Sequence, residues 1–102
     1  MTTRPYTKEE MREMFIYQCK AVAASWSRTE NLSQREMCDG VVFSILNIID
    51  GCSGGFPAAI NLVMEPHPDD KEYCISNDEN WVQPEQVIND DVMLHEMYYE
   101  KI

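Results

Sequence analysis

Positive charge is what this sequence has least of. Its 102 residues hold 8 Lys and Arg against 18 Asp and Glu, a net charge of −10. The shortage is concentrated downstream: residues 1–51 carry 6 basic and 7 acidic groups, residues 52–102 carry 2 and 11. A field of that sign repels phosphate backbones and anionic lipid surfaces and attracts basic proteins, so direct binding to nucleic acid or membrane is not expected. Long apolar runs are missing too, and none approaches the ~20 residues that a membrane span requires. Met1-Thr-Thr-Arg-Pro-Tyr6 leads into a charged helix start without the apolar core of a secretory leader. Cys19, Cys38, Cys52 and Cys74 form no CxxC pair. Free, mostly packed thiols in a cytoplasmic protein are therefore expected. The length suits one small globular domain spanning residues 1–102.

The stretch that is rich is Leu32 to Pro57, with the longest apolar run and three of the four glycines at 51–55. Ser33 with Glu36 forms a capping box, each side chain placed to take an otherwise unpaired amide, and Leu32 and Met37 suit a staple across it. Met37, Val41, Ile45 and Ile48 recur at helical spacing, with Val42, Leu46 and Ile49 as a second row, which predicts a central helix contacted from more than one side. Asp39, Ser44 and Asn47 are left for its exposed strip. Gly40 within that helix costs about 1 kcal/mol relative to alanine, which suggests a close neighbour. Gly51 suits the left-handed position past the last turn.

Thr7-Lys8-Glu9-Glu10 repeats the capping box, with Tyr6 and Met11 as its staple, and follows a short arm over residues 1–6. Met11, Phe15, Cys19, Val22 and Trp26, widened by Met14, Ile16 and Ala23, predict a helix to about Ser27. A short linker then gives an antiparallel helical hairpin. Cys52–Pro57 reads as a flexible turn, and Ala58–Met64 as an extended piece or a helical turn. Asp69 suits the cap of a short helix over 70–75 with Tyr73 and Ile75 inward, and Trp81 and Val82 are expected to pin the loop to the hairpin. Pro84 to Ile102 reads as helix, broken near Asn89-Asp90, with Leu94, Met97, Tyr98 and Ile102 on its packed side. The fold class is mainly α: a helical hairpin, an irregular acidic segment and a C-terminal helix, with a minor β-pair at Ala58–Met64 as the alternative.

Familiar catalytic signatures fail on spacing. His95-Glu96 begins a zinc-helix motif, but the second histidine position is Tyr99, so His95 reads as a surface or rim residue. His67-Pro-Asp-Asp70 echoes a segment of zinc-dependent deacetylases acting on N-acetylglucosamine derivatives, without the sheet that segment requires. Asp78, Asp90 and Asp91 lack the register of a calcium loop. No catalytic residue, metal or cofactor is expected.

Gly40–Gly55 (GVVFSILNIIDGCSGG), His67–Cys74 (HPDDKEYC) and Asn77–Trp81 (NDENW) resemble a group of small uncharacterised acidic bacteriophage and prophage proteins, over about two-thirds of the chain. The resemblance implies a phage accessory protein, a class that includes inhibitors of host enzymes and defence systems, anti-CRISPR proteins and DNA mimics among them. Together with the charge, it directs attention to Glu65, Asp69, Asp70, Glu72, Asp78, Glu79, Trp81, Asp90 and Asp91 as residues that bind a basic protein or complex. Tyr73, Tyr98 and Tyr99 are further aromatic anchors for such a contact. A small metal-dependent hydrolase using His67, Asp69 and Asp70 is the alternative. An oligomeric scaffold, a homodimer through surplus apolar surface on the first two helices, is a third.

Overall fold

In a computed structural model, which describes residues 3–100, both capping boxes form as their spacing predicts. The Glu10 amide donates to Thr7 Oγ1 at 3.1 Å and the Thr7 amide to Glu10 Oε1 at 2.8 Å, opening α1 (Lys8–Ser27). Ser33 and Glu36 do the same for α2 (Gln34–Ile49). Arg4 adds a salt bridge to Glu10 at 2.7 Å. That bond and the Thr7 amide hold the Glu10 carboxyl down at about 2, against an ordinary 4.5. The described residues fall into two compact units. The larger comprises 3–60 and 93–100, the smaller Asn61–Val92.

The larger unit is the helical hairpin with α4 (Leu94–Met97) added. Met11, Phe15, Cys19, Val22 and Trp26 form the half-buried face of α1, at the three- and four-residue steps read from the sequence. Ile16 and Ala23 do not widen it: both are exposed, because they lie round the helix from that face. Among the described residues only Ile48 and Phe56 are buried apolar side chains, and Ile48, buried completely, contributes about 1.5–3 kcal/mol. Trp26 crosses from α1 onto α2. Its ring lies where a Cβ on Gly40 would be, 2.6 Å away, and its indole N–H donates to Ser44 Oγ at 2.9 Å. Ser44 is therefore a contact residue, and Asp39 and Asn47 are half-buried as well, so the three do not form an exposed strip.

α2 stops through local geometry. Asp50 ends the helix, Gly51 takes φ +78°, and the amides of Gly51 and Cys52 return to the carbonyls of Ile48 and Asn47 at 3.1 and 2.9 Å. The segment after it is not a loose turn. Phe56 is buried edge-on against Phe15 with ring centroids 5.8 Å apart, and the Ile60 amide donates to the Ile49 carbonyl at 2.8 Å. The thiols are free, but packing holds only for the half-buried Cys19 and Cys74, since Cys38 and Cys52 are exposed.

The predicted helix from Pro84 shrinks to the four residues of α4. Two things displace it. Backbone groups of Glu85, Gln86 and Ile88 are spent on Met64 and Leu62, and Asp91 sits at φ 61°, outside the helical region. The cap is also not where local spacing puts it. Asp50, forty-five positions upstream, accepts the His95 amide through Oδ2 at 2.8 Å, which a side chain at Met93 cannot do. Leu94 and Tyr98 are half-buried, Met97 is 36% exposed, and Ile102 lies outside the described residues.

Candidate functional site

The smaller unit, Asn61–Val92, carries all nine of the residues singled out from the sequence. A single antiparallel bridge, Val63 with Val87, closes it, supported by Met64 N–H to the Gln86 carbonyl at 2.8 Å and Ile88 N–H to the Leu62 carbonyl at 3.0 Å. Asn89 Oδ1 accepts the Leu62 amide at 2.9 Å. This is the minor β-pair, reduced to one bridge. Between its arms lies α3 (Asp70–Ser76), one residue longer than predicted.

Local chemistry sets the ends of α3. Asp69 occupies the N-cap position, but its backbone is in the helical region and its side chain makes no cap hydrogen bond. Its amide instead donates to His67 Nδ1 at 3.2 Å. Asp70 and Glu72 lie in the first turn, where the helix dipole favours carboxylates. At the other end, Asp78 adopts φ 57°. The Asp78 and Glu79 amides return to the carbonyls of Ile75 and Cys74 at 3.2 and 2.9 Å. This is the same stop that Gly51 makes after α2, built on an aspartate. Tyr73 and Ile75, expected inward, are 65% and 54% exposed, because a two-turn helix closed by one bridge has little to pack against.

Trp81 turns back to α3. Lys71 Nζ lies 5.4 Å from its ring centroid, within cation–π range. Pro66, His67, Pro68, Lys71, Trp81, Val82 and Pro84 line a pocket of about 180 Å³. Trp81 and Val82 remain 42% and 51% exposed. Asp69, Asp70 and Glu72 stand at the Lys71 end of α3, with Glu65 beside Pro66. Asp78 and Glu79 lie at its far end, about 10 Å away at 1.5 Å per residue. Asp90 and Asp91 belong to a separate turn after the bridge. Every one of these carboxylates is exposed, and among the described residues none pairs with a lysine or arginine.

The His67-Pro-Asp-Asp70 segment folds as a turn. His67 Nδ1 is 3.8 Å from Asp69 Oδ2 and accepts the Asp69 amide. Among the described residues no three His, Cys, Asp or Glu side chains gather closely enough to hold a metal ion.

Sequence reasoning placed His95 at the rim. It is instead pinned in the larger unit, with Nδ1 2.7 Å from Asp50 Oδ2 and its side chain 16% exposed. A carboxylate only accepts, so Nδ1 carries the proton in this pair. Burial raises the Asp50 carboxyl, but the His95 amide, its ring and the Leu94 amide together bring it below the ordinary value. Phe43 meets the His95 ring edge-on at 5.6 Å and lies tilted at 37° to the Tyr99 ring, 5.3 Å away. Tyr98 donates to Asp39 Oδ1 at 2.7 Å, which lowers the Asp39 carboxyl and raises the Tyr98 phenol. These contacts fasten α4 to α2. The pairing is tertiary and has no local sequence signal, since Asp50 and His95 lie forty-five residues apart in different predicted elements.

No family model matches the chain, and no curated protein or solved structure matches it. No helix among the described residues is long and apolar enough to cross a membrane.

Proposed function

We propose that this chain is a non-enzymatic binding module that occupies, and so inhibits or modulates, a basic protein in the cytoplasm, one whose own ligand is a nucleic acid. One observation carries the reading: Asn61–Val92 holds nine exposed carboxylates, one lysine and no arginine. Self-repulsion of this kind costs stability, and mixed signs are the usual surface of a small domain. Docking a basic surface removes that repulsion, and carboxylates held on a short helix and capped turns present charge in the manner of phosphates. Trp81 supplies a half-exposed aromatic anchor beside its proline-lined pocket. The resemblance of Gly40–Gly55, His67–Cys74 and Asn77–Trp81 to small phage proteins supports an accessory protein aimed at a host complex, including an anti-defence role of the anti-CRISPR or DNA-mimic type.

The test is capture from a bacterial lysate at low salt, with the wild-type chain and a D69K/D70K/E72K variant side by side. The retained protein is expected to be basic, to bind DNA or RNA, and to lose that ligand to the wild-type chain. The charge-reversed chain is expected to associate at least about tenfold more slowly, with a flatter salt dependence. Partner binding indifferent to both salt and these reversals refutes the mechanism.

A further inference from the structure

The outward face of α1 is chemically unlike the acidic unit, and the hairpin does not use it. Ile16 and Tyr17 are 51% and 69% exposed at its centre. Glu13 and Lys20 flank them, both exposed and without an ion-pair partner among the described residues. Lys20 lies seven positions after Glu13, about 10 Å along the helix, so they do not satisfy each other within one chain.

From this arrangement we infer that α1 is a self-complementary surface whose occupant is α1 of a second copy, running antiparallel. A twofold axis perpendicular to the helix and passing between Ile16 and Tyr17 exchanges positions equally distant from that point. At 100° per residue, Ile16 and Tyr17 then lie on opposite flanks of the contact line, with Glu13 and Lys20 close to it. The axis reverses height but keeps each flank, so Ile16 meets Ile16 and Tyr17 meets Tyr17 of the other copy beside the axis, while Glu13, near the line, meets Lys20. Glu9 faces the small side chain of Ala24. The contact thus has an aliphatic pair and an aromatic pair side by side at its centre and one ion pair on either side. A parallel arrangement sets Glu13 against Glu13 and Lys20 against Lys20, so the charges select the antiparallel register.

Grooves on both sides of Tyr17 accommodate a partner's side chain. One, of about 420 Å³, is lined by Glu13, Met14, Tyr17, Gln18 and Gly55. The other, of about 370 Å³, is lined by Arg12, Glu13, Ile16, Tyr17 and Lys20. A contact one helix wide is small for an interface, so the dimer is weak and concentration-dependent.

Sedimentation velocity of the full chain over a concentration series tests this. The wild type is expected to show a monomer–dimer equilibrium. Glu13→Lys and Lys20→Glu, each turning two attractions into two repulsions, are each expected to weaken it about tenfold. The double variant E13K/K20E restores both pairs with signs exchanged, and its dimer is expected to return to within about threefold of wild type. Both positions are solvent-facing, so far-UV circular dichroism is expected to stay unchanged. Tyr17→Ala, which moves no charge, provides an independent loss of dimer. A wild type that is monomeric at every soluble concentration overturns the inference. So does a dimer indifferent to the single reversals, or a double variant that fails to recover.

Discussion

Replacing Gly40 by alanine tests the packing of the hairpin, because two opposing effects meet at one atom. In an exposed helix interior the change stabilises by about 1 kcal/mol. Here the new Cβ falls 2.6, 2.6 and 2.7 Å from three carbons of the Trp26 ring, where contacting carbons normally lie at about 3.5–4.0 Å. The indole must retreat by about 1 Å, which breaks its 2.9 Å hydrogen bond to Ser44. Overpacking of this kind costs about 1–3 kcal/mol and the lost hydrogen bond about 1 kcal/mol. Set against the propensity gain, Gly40→Ala is expected to destabilise by about 2 kcal/mol. Urea denaturation followed by circular dichroism measures it, and the ring's displacement is expected to shift the Trp26 indole N–H resonance. Repeating the substitution in a Trp26→Ala background removes the obstacle, so there it is expected to stabilise by about 1 kcal/mol. The same change in both backgrounds refutes the proposed contact.

Other outcomes follow from the capping and charge arrangements. Asp78→Gly relieves a left-handed aspartate while keeping the α3 stop, and is expected to stabilise the acidic unit by about 0.5–1 kcal/mol in thermal melts; destabilisation contradicts the assigned geometry. Gly51→Ala goes the other way, by about 1–2 kcal/mol from the left-handed backbone alone, with a further cost because its Cβ meets that of Ala59 at 2.9 Å. Glu10, Glu36, Asp39 and Asp50 all have carboxyls held below their ordinary range in the larger unit. Groups lowered by folding contribute stability that is complete above the unfolded values near 4, and it is lost as pH falls through the folded ones. The urea midpoint is therefore expected to fall between about pH 5 and pH 2, and less steeply in Glu10→Gln; a flat profile refutes the assignment. Asp50→Ala leaves the His95 amide and ring without their acceptor and is expected to cost about 2–3 kcal/mol and the near-ultraviolet signal of the Phe43–Tyr99 cluster.

The sequence by itself determined what depends on near neighbours. Thr7 with Glu10, Ser33 with Glu36, and Gly51 are local devices, completed within three to five residues, and the half-buried face of α1 follows from a 3.6-residue period. The acidic character of the downstream half was equally plain, because charge is additive and does not depend on how the chain folds. Tertiary structure decided the long-range pairs. Trp26 selects Gly40 and Ser44, Phe56 turns a glycine-rich segment into core, and Asp50 caps a helix forty-five residues away. Helical periodicity from Pro84 onward lost to backbone pairing with Leu62 and Met64, which no local propensity encodes. Charge alone did not show which carboxylates share a surface. Their grouping at the two ends of α3 and in the turn after Val87 follows from the short helix and the bridge that order this segment.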